Sequence, residues 1–299
     1  MRCMVTGATG LVGSFLLRKL LREGAEVGVL VWEPRELRRI EDLVPCVTLL
    51  SDRESVRAFA PDVVFHLAWS GVTRDTRDLP AQIHVNVPYA LDVFRLAADA
   101  GARTWIGLGS QAEYGETSEL LRETTVARPV EAYGVAKLAV AALTEKLCRL
   151  AAMRYVWIRL VAAYGPADDH RRLIPMLIRT LASGESPSLT SGEQFVDYLY
   201  VEDVADALWA AAVNDGVDGV FNLASGNAVR VRELAELVRD LIAPEVQLGF
   251  APSNGSSNGS ARDLRADVSR FRAAARWEPR TTLREGVEKT IRWYRESAP

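Results

Sequence analysis

The stretch C-M-V-T-G-A-T-G-L-V-G, residues 3–13, decides the fold of this chain. A short apolar run leads into Gly7, Gly10 and Gly13, and a helical pattern begins behind the second glycine. Gly7 permits a tight turn, Gly10 lets backbone N–H groups approach a pyrophosphate, and Gly13 lets the helix pack closely on a sheet. A strand, this turn and a helix in that order predict a dinucleotide-binding unit; the alternative is a tight turn without a ligand.

Short apolar runs alternate with helical patterns through the first half of the chain. The runs are rich in valine and isoleucine, which predicts buried parallel strands. The predicted strands are Cys3–Thr6, Glu26–Val31, Val47–Leu50, Val63–Leu67, Thr104–Gly109 and Tyr155–Val161. The predicted helices between them are Leu11–Arg22, Ser55–Phe59, Ala81–Ala100 and Ala132–Ala151. This alternation predicts an α/β fold, a Rossmann-type doubly wound parallel sheet with right-handed crossovers.

The second half of the chain changes character and predicts a smaller lobe. Its predicted elements are a helix within 166–187, strands Tyr198–Val201 and Val220–Leu223, and helices Val231–Ile242 and Leu283–Tyr294. The low-complexity stretch Ser253–Ser260 predicts a mobile loop. We expect residues 1–165 to form an NAD(P)-binding domain, to which residues 195–227 return. Residues 166–194 and 228–299 would form an α/β C-terminal lobe that binds substrate over the carboxyl ends of the strands.

Composition and charge argue against several classes of function. The chain has 299 residues, 48% of them hydrophobic, and a formal net charge of −3, which predicts a globular protein without a nucleic-acid partner. No uninterrupted apolar run reaches the roughly 18 residues of a membrane span. The N-terminal residues lack the apolar core of a signal peptide, so we expect a cytoplasmic location. The three cysteines and three histidines show no disulfide or metal-ligand spacing; we expect reduced, buried thiols and no metal site.

The end of the predicted second strand bears on the choice between NAD and NADP. A dinucleotide fold often has an acidic residue there, which binds the ribose 2′-OH. Here Val31 occupies this position and the nearest acid is Glu33. Three arginines follow, Arg35, Arg38 and Arg39. Arginines without an acid favour NADP over NAD, through a contact with the 2′-phosphate; the alternative is that they are surface charges on the next helix.

Tyr133 and Lys137 are the candidate proton-transfer residues. Their i, i+4 spacing places both side chains on one face of the predicted helix. A lysine ammonium and the positive nicotinamide ring of an oxidised cofactor would lower the pKa of the tyrosine from its usual value of about 10. Tyr133 could then exchange the proton of a carbinol while hydride moves at the carbon. Ser110, at the end of the fifth strand, could hydrogen-bond the substrate oxygen and orient the phenol. The alternatives are a helix surface pair and a turn serine.

Ordered motifs along nearly the whole chain support a family resemblance. They include T-G-A-T-G-L-V-G at 6–13, F-H-L-A at 65–68, H-V-N-V with Asn86, G-S-Q-A-E-Y-G at 109–115 and Y-G-V-A-K at 133–137. They continue with R-L-V-A-A-Y-G-P at 159–166, D-Y-L-Y-V-E-D-V-A at 197–205 and F-N-L-A-S-G at 221–226. Together they resemble the extended short-chain dehydrogenase/reductase family, in the NAD-dependent epimerase/dehydratase branch that acts on nucleotide sugars.

The resemblance implies roles for individual residues. Ser110, Tyr133 and Lys137 would be the catalytic set, and Lys137 would also bridge the nicotinamide ribose hydroxyls. The implied cofactor-binding residues are Gly7, Thr9, Gly10, Leu11, Val12, Gly13, Arg35, Asp52, Leu67, Ala68, Asn86, Tyr133 and Lys137. The implied substrate-binding residues are Gln111, Ala162, Arg262 and Arg265, with Arg262 or Arg265 on the diphosphate of the sugar nucleotide. The helices Ala81–Ala100 and Ala132–Ala151 would pair with their symmetry mates, as a four-helix bundle in a homodimer.

Departures from the family pattern narrow the expected reaction. Sugar-nucleotide dehydratases of this family carry an Asp-Glu pair where this chain has Gln111 and Ala112, so 4,6-dehydration is not expected. Family members usually have asparagine at the position of Ala162 and often arginine at that of Val196. A 4-ketoreductase of a nucleoside-diphosphate 4-keto-6-deoxyhexose is favoured, and a 4-epimerase with tightly bound NAD is the alternative. A non-catalytic NAD(P)-binding regulator is a third hypothesis, which the presence of Ser110, Tyr133 and Lys137 disfavours.

Overall fold

The structure is a computed structural model that describes residues 1–31, 37, 39–117, 119–252 and 263–296. Its strands are β1 (Arg2–Thr6), β2 (Glu26–Leu30), β3 (Thr48–Leu50), β4 (Val63–His66), β5 (Thr104–Ser110), β6 (Arg154–Leu160), β7 (Ala162–Tyr164), β8 (Ser188–Leu189), β9 (Phe195–Val196), β10 (Tyr198–Tyr200), β11 (Gly219–Leu223), β12 (Val229–Arg230) and β13 (Gly249–Phe250). Its α-helices are α1 (Leu11–Arg22), α2 (Arg53–Phe59), α3 (Ala81–His84), α4 (Asn86–Asp99), α5 (Ala132–Leu150), α6 (Leu173–Ala182), α7 (Val201–Val213), α8 (Val231–Ile242), α9 (Ser269–Ala275) and α10 (Leu283–Glu296).

Seven strands form one parallel sheet in the order β3-β2-β1-β4-β5-β6-β11. The order reverses between β1 and β4, since the chain builds outward from β1 first on one side and then on the other. A crevice opens at the carboxyl ends of the strands at such a point, and it is where ligands of open α/β sheets bind. The predicted Rossmann-type fold is confirmed.

Helices cover both faces of the sheet, which explains why its strands read as continuous apolar runs. On one face α1 packs against α7, and the leucines at 16, 17 and 20 of α1 are fully buried. On the other face α4 and α5 pack against each other, and buried side chains such as Val93 and Val140 meet Trp105 of β5. The crossover helices are thus held to the sheet by apolar burial.

The C-terminal lobe has its own apolar cluster. Buried side chains of α6, α8 and α10, among them Leu177, Leu234 and Val287, pack together there. The segment 195–227 contributes α7 and β11 to the sheet side, and Phe271 of α9 packs on Phe221 of β11, with ring centroids 5.8 Å apart. The domain boundaries at 165, 195 and 228 stay a prediction.

One predicted helix is broken in the structure. The pattern over Ala81–Ala100 predicts a single helix, whereas the structure has α3 and α4 with Val85 between them. The side chain of Asn86 accepts a hydrogen bond from the Ser70 amide at 2.8 Å and donates one to the Ser70 carbonyl at 3.0 Å. The break also falls four residues before Pro88, which has no N–H to bond the His84 carbonyl and whose ring crowds that carbonyl.

Other elements were missed or differ in length. The strand predicted at Tyr198–Val201 ends at Tyr200 and pairs with β7, outside the main sheet, and α7 follows without a break. Neither α7 nor α9 was predicted, because their alanine-rich sequences carry little amphipathic contrast. The loop predicted at Ser253–Ser260 lies outside the described residues.

Cys3 and Cys148 are buried as expected, but Cys46 is exposed because it ends a surface 3₁₀ helix. No described helix has the length and apolarity that a membrane crossing requires.

Candidate active site

The glycine-rich turn is shaped by close backbone contacts. Gly7 has φ +71°, and a Cβ there would stand 2.5 Å from the amide nitrogen of Ala68. A Cβ on Gly13 would overlap the carbonyl oxygen of Gly7. Glycine is therefore required at both positions if β1, α1 and the end of β4 are to meet.

The same turn presents an anion-binding helix terminus. Gly10 is the N-cap of α1, and no side chain of the described residues caps this helix. The amide groups of Leu11, Val12 and Gly13 belong to the first turn, whose sequence carries no acidic residue. Unpaired N–H groups and the helix dipole favour a diphosphate at this position. These features fit the diphosphate of a dinucleotide.

Leu67 and Ala68 lie beside the turn, as the resemblance implied. They follow β4, and the amide of Ala68 donates a hydrogen bond to the Thr6 hydroxyl at 3.2 Å. Asp52 lies farther along the sheet edge, beyond the end of β3. Its carboxylate caps α2 by accepting a hydrogen bond from the Ser55 amide at 2.8 Å. The sheet places Leu67, Ala68 and Asp52 beyond the carboxyl ends of strands, which is where a dinucleotide would extend.

The arginines that favoured NADP divide into two groups. Arg35 and Arg38 lie outside the described residues. Arg39 donates hydrogen bonds to the Thr9 carbonyl at 3.0 Å and to the Ala167 carbonyl at 2.9 Å. It thereby links the glycine-rich turn to the loop behind β7, and its guanidinium is engaged by neutral carbonyl groups.

Ser110, Tyr133 and Lys137 come together at the carboxyl end of β5. All three are buried, with Ser110 as the last residue of β5 and the other two in the first turns of α5. The Ser110 side chain lies close enough to the Tyr133 phenol to lower its pKa, and the Lys137 ammonium donates a hydrogen bond to the Leu108 carbonyl at 2.6 Å. A helix that starts against this strand end thus delivers the predicted serine, tyrosine and lysine to one place.

Burial is the main influence on the pKa values of Tyr133 and Lys137. Burial raises the pKa of Tyr133, and the hydrogen bond from Ser110 and the charge of Arg77 only partly oppose this effect. Burial lowers the pKa of Lys137 to about 7, while the charge of Glu113 acts in the opposite direction. A lowering of the phenol pKa by an oxidised nicotinamide would therefore have to overcome this effect of burial.

Two side chains that the sequence analysis missed enclose the pair. The ring of Trp69 lies 3.7 Å from the Lys137 ammonium and meets the Tyr133 ring edge-on, with centroids 5.9 Å apart. The Arg77 guanidinium lies 4.8 Å from the centre of the Tyr133 ring. Trp69 directly follows the F-H-L-A motif, which is a signal that could have found it; Arg77 carries no such signal.

A third missed residue is Glu113, a completely buried acid in the 3₁₀ turn Gln111–Tyr114. Its side chain accepts a hydrogen bond from the Ser110 amide at 2.8 Å. The signal was present, since S-Q-A-E at 110–113 matches the S-x-x-E pattern of a capping box. Gln111 and Ala112 occupy the same turn, so no acidic pair stands at the positions that dehydratases of the family use.

The remaining predicted site residues contact other parts of the structure. The Asn86 side chain is buried and bonded to the Ser70 backbone. Ala162 lies on β7, half-buried beside the apolar cluster that contains Tyr114. Arg265 pairs with Asp263 at 3.1 Å in the lobe, and Arg262 lies outside the described residues. Their proposed roles toward cofactor or substrate stay predictions. Within the described part of the chain, no group of three or more His, Cys, Asp or Glu side chains could hold a metal ion.

Fold and site together define a Rossmann-type enzyme of the kind that uses a nicotinamide dinucleotide. A family model described as "NAD dependent epimerase/dehydratase family" matches residues 3–224. The chain belongs to this family and is an enzyme of the extended short-chain dehydrogenase/reductase type, as its motifs predicted.

Individual relatives match over the full length. The chain is 28% identical over 319 residues to a UDP-glucose 4-epimerase of Mycolicibacterium smegmatis, with 100% of both chains covered. It is similar to the solved UDP-glucose 4-epimerase of Thermus thermophilus in complex with NAD, with a TM-score of 0.84, 25% identity and 100% coverage of both chains. MoeE5 in complex with UDP-glucuronic acid and NAD gives a TM-score of 0.84 and 28% identity, again with 100% of both chains covered.

We expect Lys137 to make the stability of the dinucleotide-free protein depend on pH. Its pKa is about 7 in the folded chain against an ordinary value of 10.5, so the unfolded chain binds more protons between these values. Its contribution to the free energy of unfolding should therefore rise as the pH increases through this window. Urea unfolding from pH 7 to pH 10 should show the difference between wild type and Lys137→Met moving in favour of wild type.

Lys19→Met is the matched control for this prediction. Burial lowers the pKa of Lys19, but its ion pairs with Asp206 and Glu23 outweigh burial and raise it. Lys19 therefore stays charged throughout the window, and its difference from wild type should be constant. A pH-independent difference for Lys137→Met would contradict the expected titration.

Proposed function

We propose that this enzyme is a nucleotide-sugar oxidoreductase that reduces the 4-keto group of a nucleoside-diphosphate 4-keto-6-deoxyhexose. The observation that carries the proposal is the buried site in which Ser110, Tyr133 and Lys137 come together, without an acidic pair at Gln111 and Ala112. A protonated phenol is the form that a ketone reduction needs, since the new alkoxide must receive a proton.

Each residue of the site has its own role in the proposed reaction. When bound, the nicotinamide supplies the hydride. The Ser110 hydroxyl hydrogen-bonds the substrate oxygen and holds it at the Tyr133 phenol, which protonates it. Lys137 holds the nicotinamide ribose beside the phenol. Trp69 and Arg77 close the site around the Tyr133 ring and exclude water from it. Gln111 and Ala112 offer no acid or base for elimination, which supports reduction without dehydration.

The proposed cofactor is NADP, with NAD as the alternative. Val31 follows β2 where an acid would bind the ribose 2′-OH, which supports NADP. Arg35 remains the candidate ligand of the 2′-phosphate, because the Arg39 guanidinium is bonded to carbonyl groups. The two solved relatives named above are complexes with NAD, which supports NAD. Binding titrations with NADPH and NADH decide between them.

A 4-epimerase that keeps NAD bound is the second candidate. The full-length similarity to two UDP-glucose 4-epimerases favours it. Such an enzyme begins by removing a proton from a sugar hydroxyl, for which the positive ring of bound NAD would have to offset the burial that raises the pKa of Tyr133. The non-catalytic regulator is disfavoured because Ser110, Tyr133 and Lys137 are all present and brought together.

The proposal also covers partners and location. The substrate is a nucleotide sugar, bound between the strand ends and the C-terminal lobe, with Ala162, Arg262 and Arg265 as candidate contacts. MoeE5, complexed with UDP-glucuronic acid, supports this substrate class. Three free cysteines suit a reducing compartment, so the proposed location is cytoplasmic.

A homodimer belongs to the same proposal. The helical region 81–99 and α5 expose apolar side chains that the monomer leaves uncovered, with Ile83, Val135 and Leu143 each more than two-fifths exposed. Apolar side chains on neighbouring helices form the kind of surface that a second copy would cover, in the four-helix bundle that the family resemblance implies.

Replacing the phenol tests the catalytic assignment. We expect Tyr133→Phe to reduce turnover on the order of 10²–10⁴-fold, because it removes the proton donor. The dissociation constant for NADPH, followed by its fluorescence, should stay close to that of wild type. Tyr155→Phe is the matched control, since it removes a buried hydroxyl bonded to the Ala141 carbonyl and should lower stability but not turnover. Full activity of Tyr133→Phe would refute the assignment.

A substrate panel tests the reaction itself. We expect one nucleoside-diphosphate 4-keto-6-deoxyhexose to cause loss of NADPH absorbance in a one-to-one ratio with sugar reduced. Inversion of a hydroxyl in an unreduced nucleotide sugar, by protein that carries NAD and consumes no added cofactor, would replace the reductase with the epimerase.

A change on α5 tests the dimer. We expect wild type to elute with the mass of two chains in size-exclusion chromatography with light scattering, and Leu143→Arg to elute as a monomer. Val213→Arg changes a similarly exposed apolar residue at the end of α7 and should remain dimeric. A monomeric wild type would contradict the dimer.

A further inference from the structure

Glu113 is a charged residue placed where no solvent reaches it. Its exposed fraction is zero, and it accepts hydrogen bonds from the Ser110 amide at 2.8 Å, the Trp157 indole at 3.0 Å and the Arg159 guanidinium at 2.7 Å. Both carboxylate oxygens are used, since Arg159 bonds the second oxygen and the indole lies within reach of both. A buried carboxylate with so many fixed donors has one orientation.

The neighbouring strand leaves room for this arrangement. The ring of Trp157 crosses β5 over Gly107 and Gly109, and a Cβ on either glycine would overlap it. A Cβ on Gly109 would also stand 2.5 Å from the Glu113 carboxylate. The two glycines of G-L-G-S therefore admit the indole and the carboxylate to the strand that ends in Ser110.

Burial of this ion pair is an unusual way to stabilise a fold. The Arg159 side chain is 7% exposed, and removing two charges from water costs free energy that their attraction repays only with good geometry. An apolar pair of similar volume often serves stability equally well. The benefit of the ion pair therefore lies in the orientation that it gives to neighbouring groups.

The Glu113–Arg159 ion pair orients the turn that carries the Ser110 hydroxyl. Glu113 and Ser110 form a reciprocal capping box, in which the Ser110 hydroxyl accepts a hydrogen bond from the Ala112 amide at 3.2 Å. This hydrogen bond uses a lone pair of the oxygen and not the hydroxyl proton, which can be donated to a substrate oxygen. The carbonyl of Ala112 in turn packs where a Cβ on Gly134 would overlap it, next to Tyr133.

We propose that Glu113 is a positioning residue for the catalytic hydroxyl of Ser110, and that Arg159 and Trp157 hold Glu113 in place for this task. Glu113 touches neither substrate nor cofactor in this role; it acts through the backbone amide of Ser110. The inference rests on the proposed function only in that Ser110 is taken to contact the substrate.

A paired substitution separates positioning from stability. Glu113→Gln alone leaves Arg159 buried without a counter-charge and can unfold the chain. Glu113→Val combined with Arg159→Met removes both charges and leaves an apolar core. We expect this double variant to unfold at close to the wild-type temperature, with kcat reduced on the order of 10²-fold and with KM within about twofold, because a displaced hydroxyl weakens the reacting geometry.

Two further variants show through which group the effect acts. In a Ser110→Ala background the double substitution should cause no further loss of kcat. Asp203→Asn is the matched control, since Asp203 is an equally buried carboxylate that accepts two backbone amides, from Arg280 and Thr281, both at 3.0 Å. It should lower the unfolding temperature and leave kcat unchanged.

Hydrogen exchange at the Ser110 amide tests the inference without any substrate. We expect this amide to exchange at least tenfold faster in the double variant than in wild type or Asp203→Asn. Wild-type kcat, or unchanged exchange at Ser110, in a folded double variant would overturn the positioning role. If wild type reduces no nucleotide sugar while the exchange at Ser110 responds as expected, the proposed function fails and the positioning of Ser110 stands.

Discussion

The structure depends on the close approach of three backbone segments at the carboxyl ends of β1 and β4. Gly7, in a left-handed conformation, lies against Ala68, and Gly13 lies against the carbonyl of Gly7. No side chain fits at either contact. This approach brings the start of α1 to the sheet edge with no side chain of the described residues capping its first amide groups, which makes the edge suitable for an anion. Everything that faces the proposed cofactor is arranged around this point.

Burial governs the chemistry of the neighbouring site. The sheet, α5 and Trp69 remove Tyr133 and Lys137 from water, and this keeps the phenol protonated and brings the lysine pKa close to 7. The charged groups next to the site are Arg77, which lies over the Tyr133 ring, and the Glu113–Arg159 ion pair, which lies below Ser110. A site of this kind suits proton donation to a carbonyl oxygen, which connects its electrostatics with the reductive direction of the proposed reaction.

Sequence reasoning succeeded where local pattern and backbone geometry coincide. The glycine-rich turn, the alternating strands and the i, i+4 pair on α5 each follow from spacing that a Rossmann-type sheet requires. It failed where apolar periodicity hid a break or was itself weak. The break between α3 and α4 falls four residues before Pro88, and α7 escaped notice because it is rich in alanines, most of them buried. Trp69 and Arg77 reach Tyr133 from a loop, and loops have no periodicity from which such a contact could be inferred.

By itself the sequence determined the fold class and the glycine-rich turn and predicted Ser110, Tyr133 and Lys137 as the candidate site, because each depends on residues close together in the chain or on a regular repeat. Only the tertiary structure decided the charge of those residues and their surroundings. The pKa of a phenol or an ammonium depends on how much water the fold removes and on which charges it brings near. Those quantities arise from elements as far apart in sequence as Trp69, Glu113 and Arg159, and no spacing along the chain encodes them.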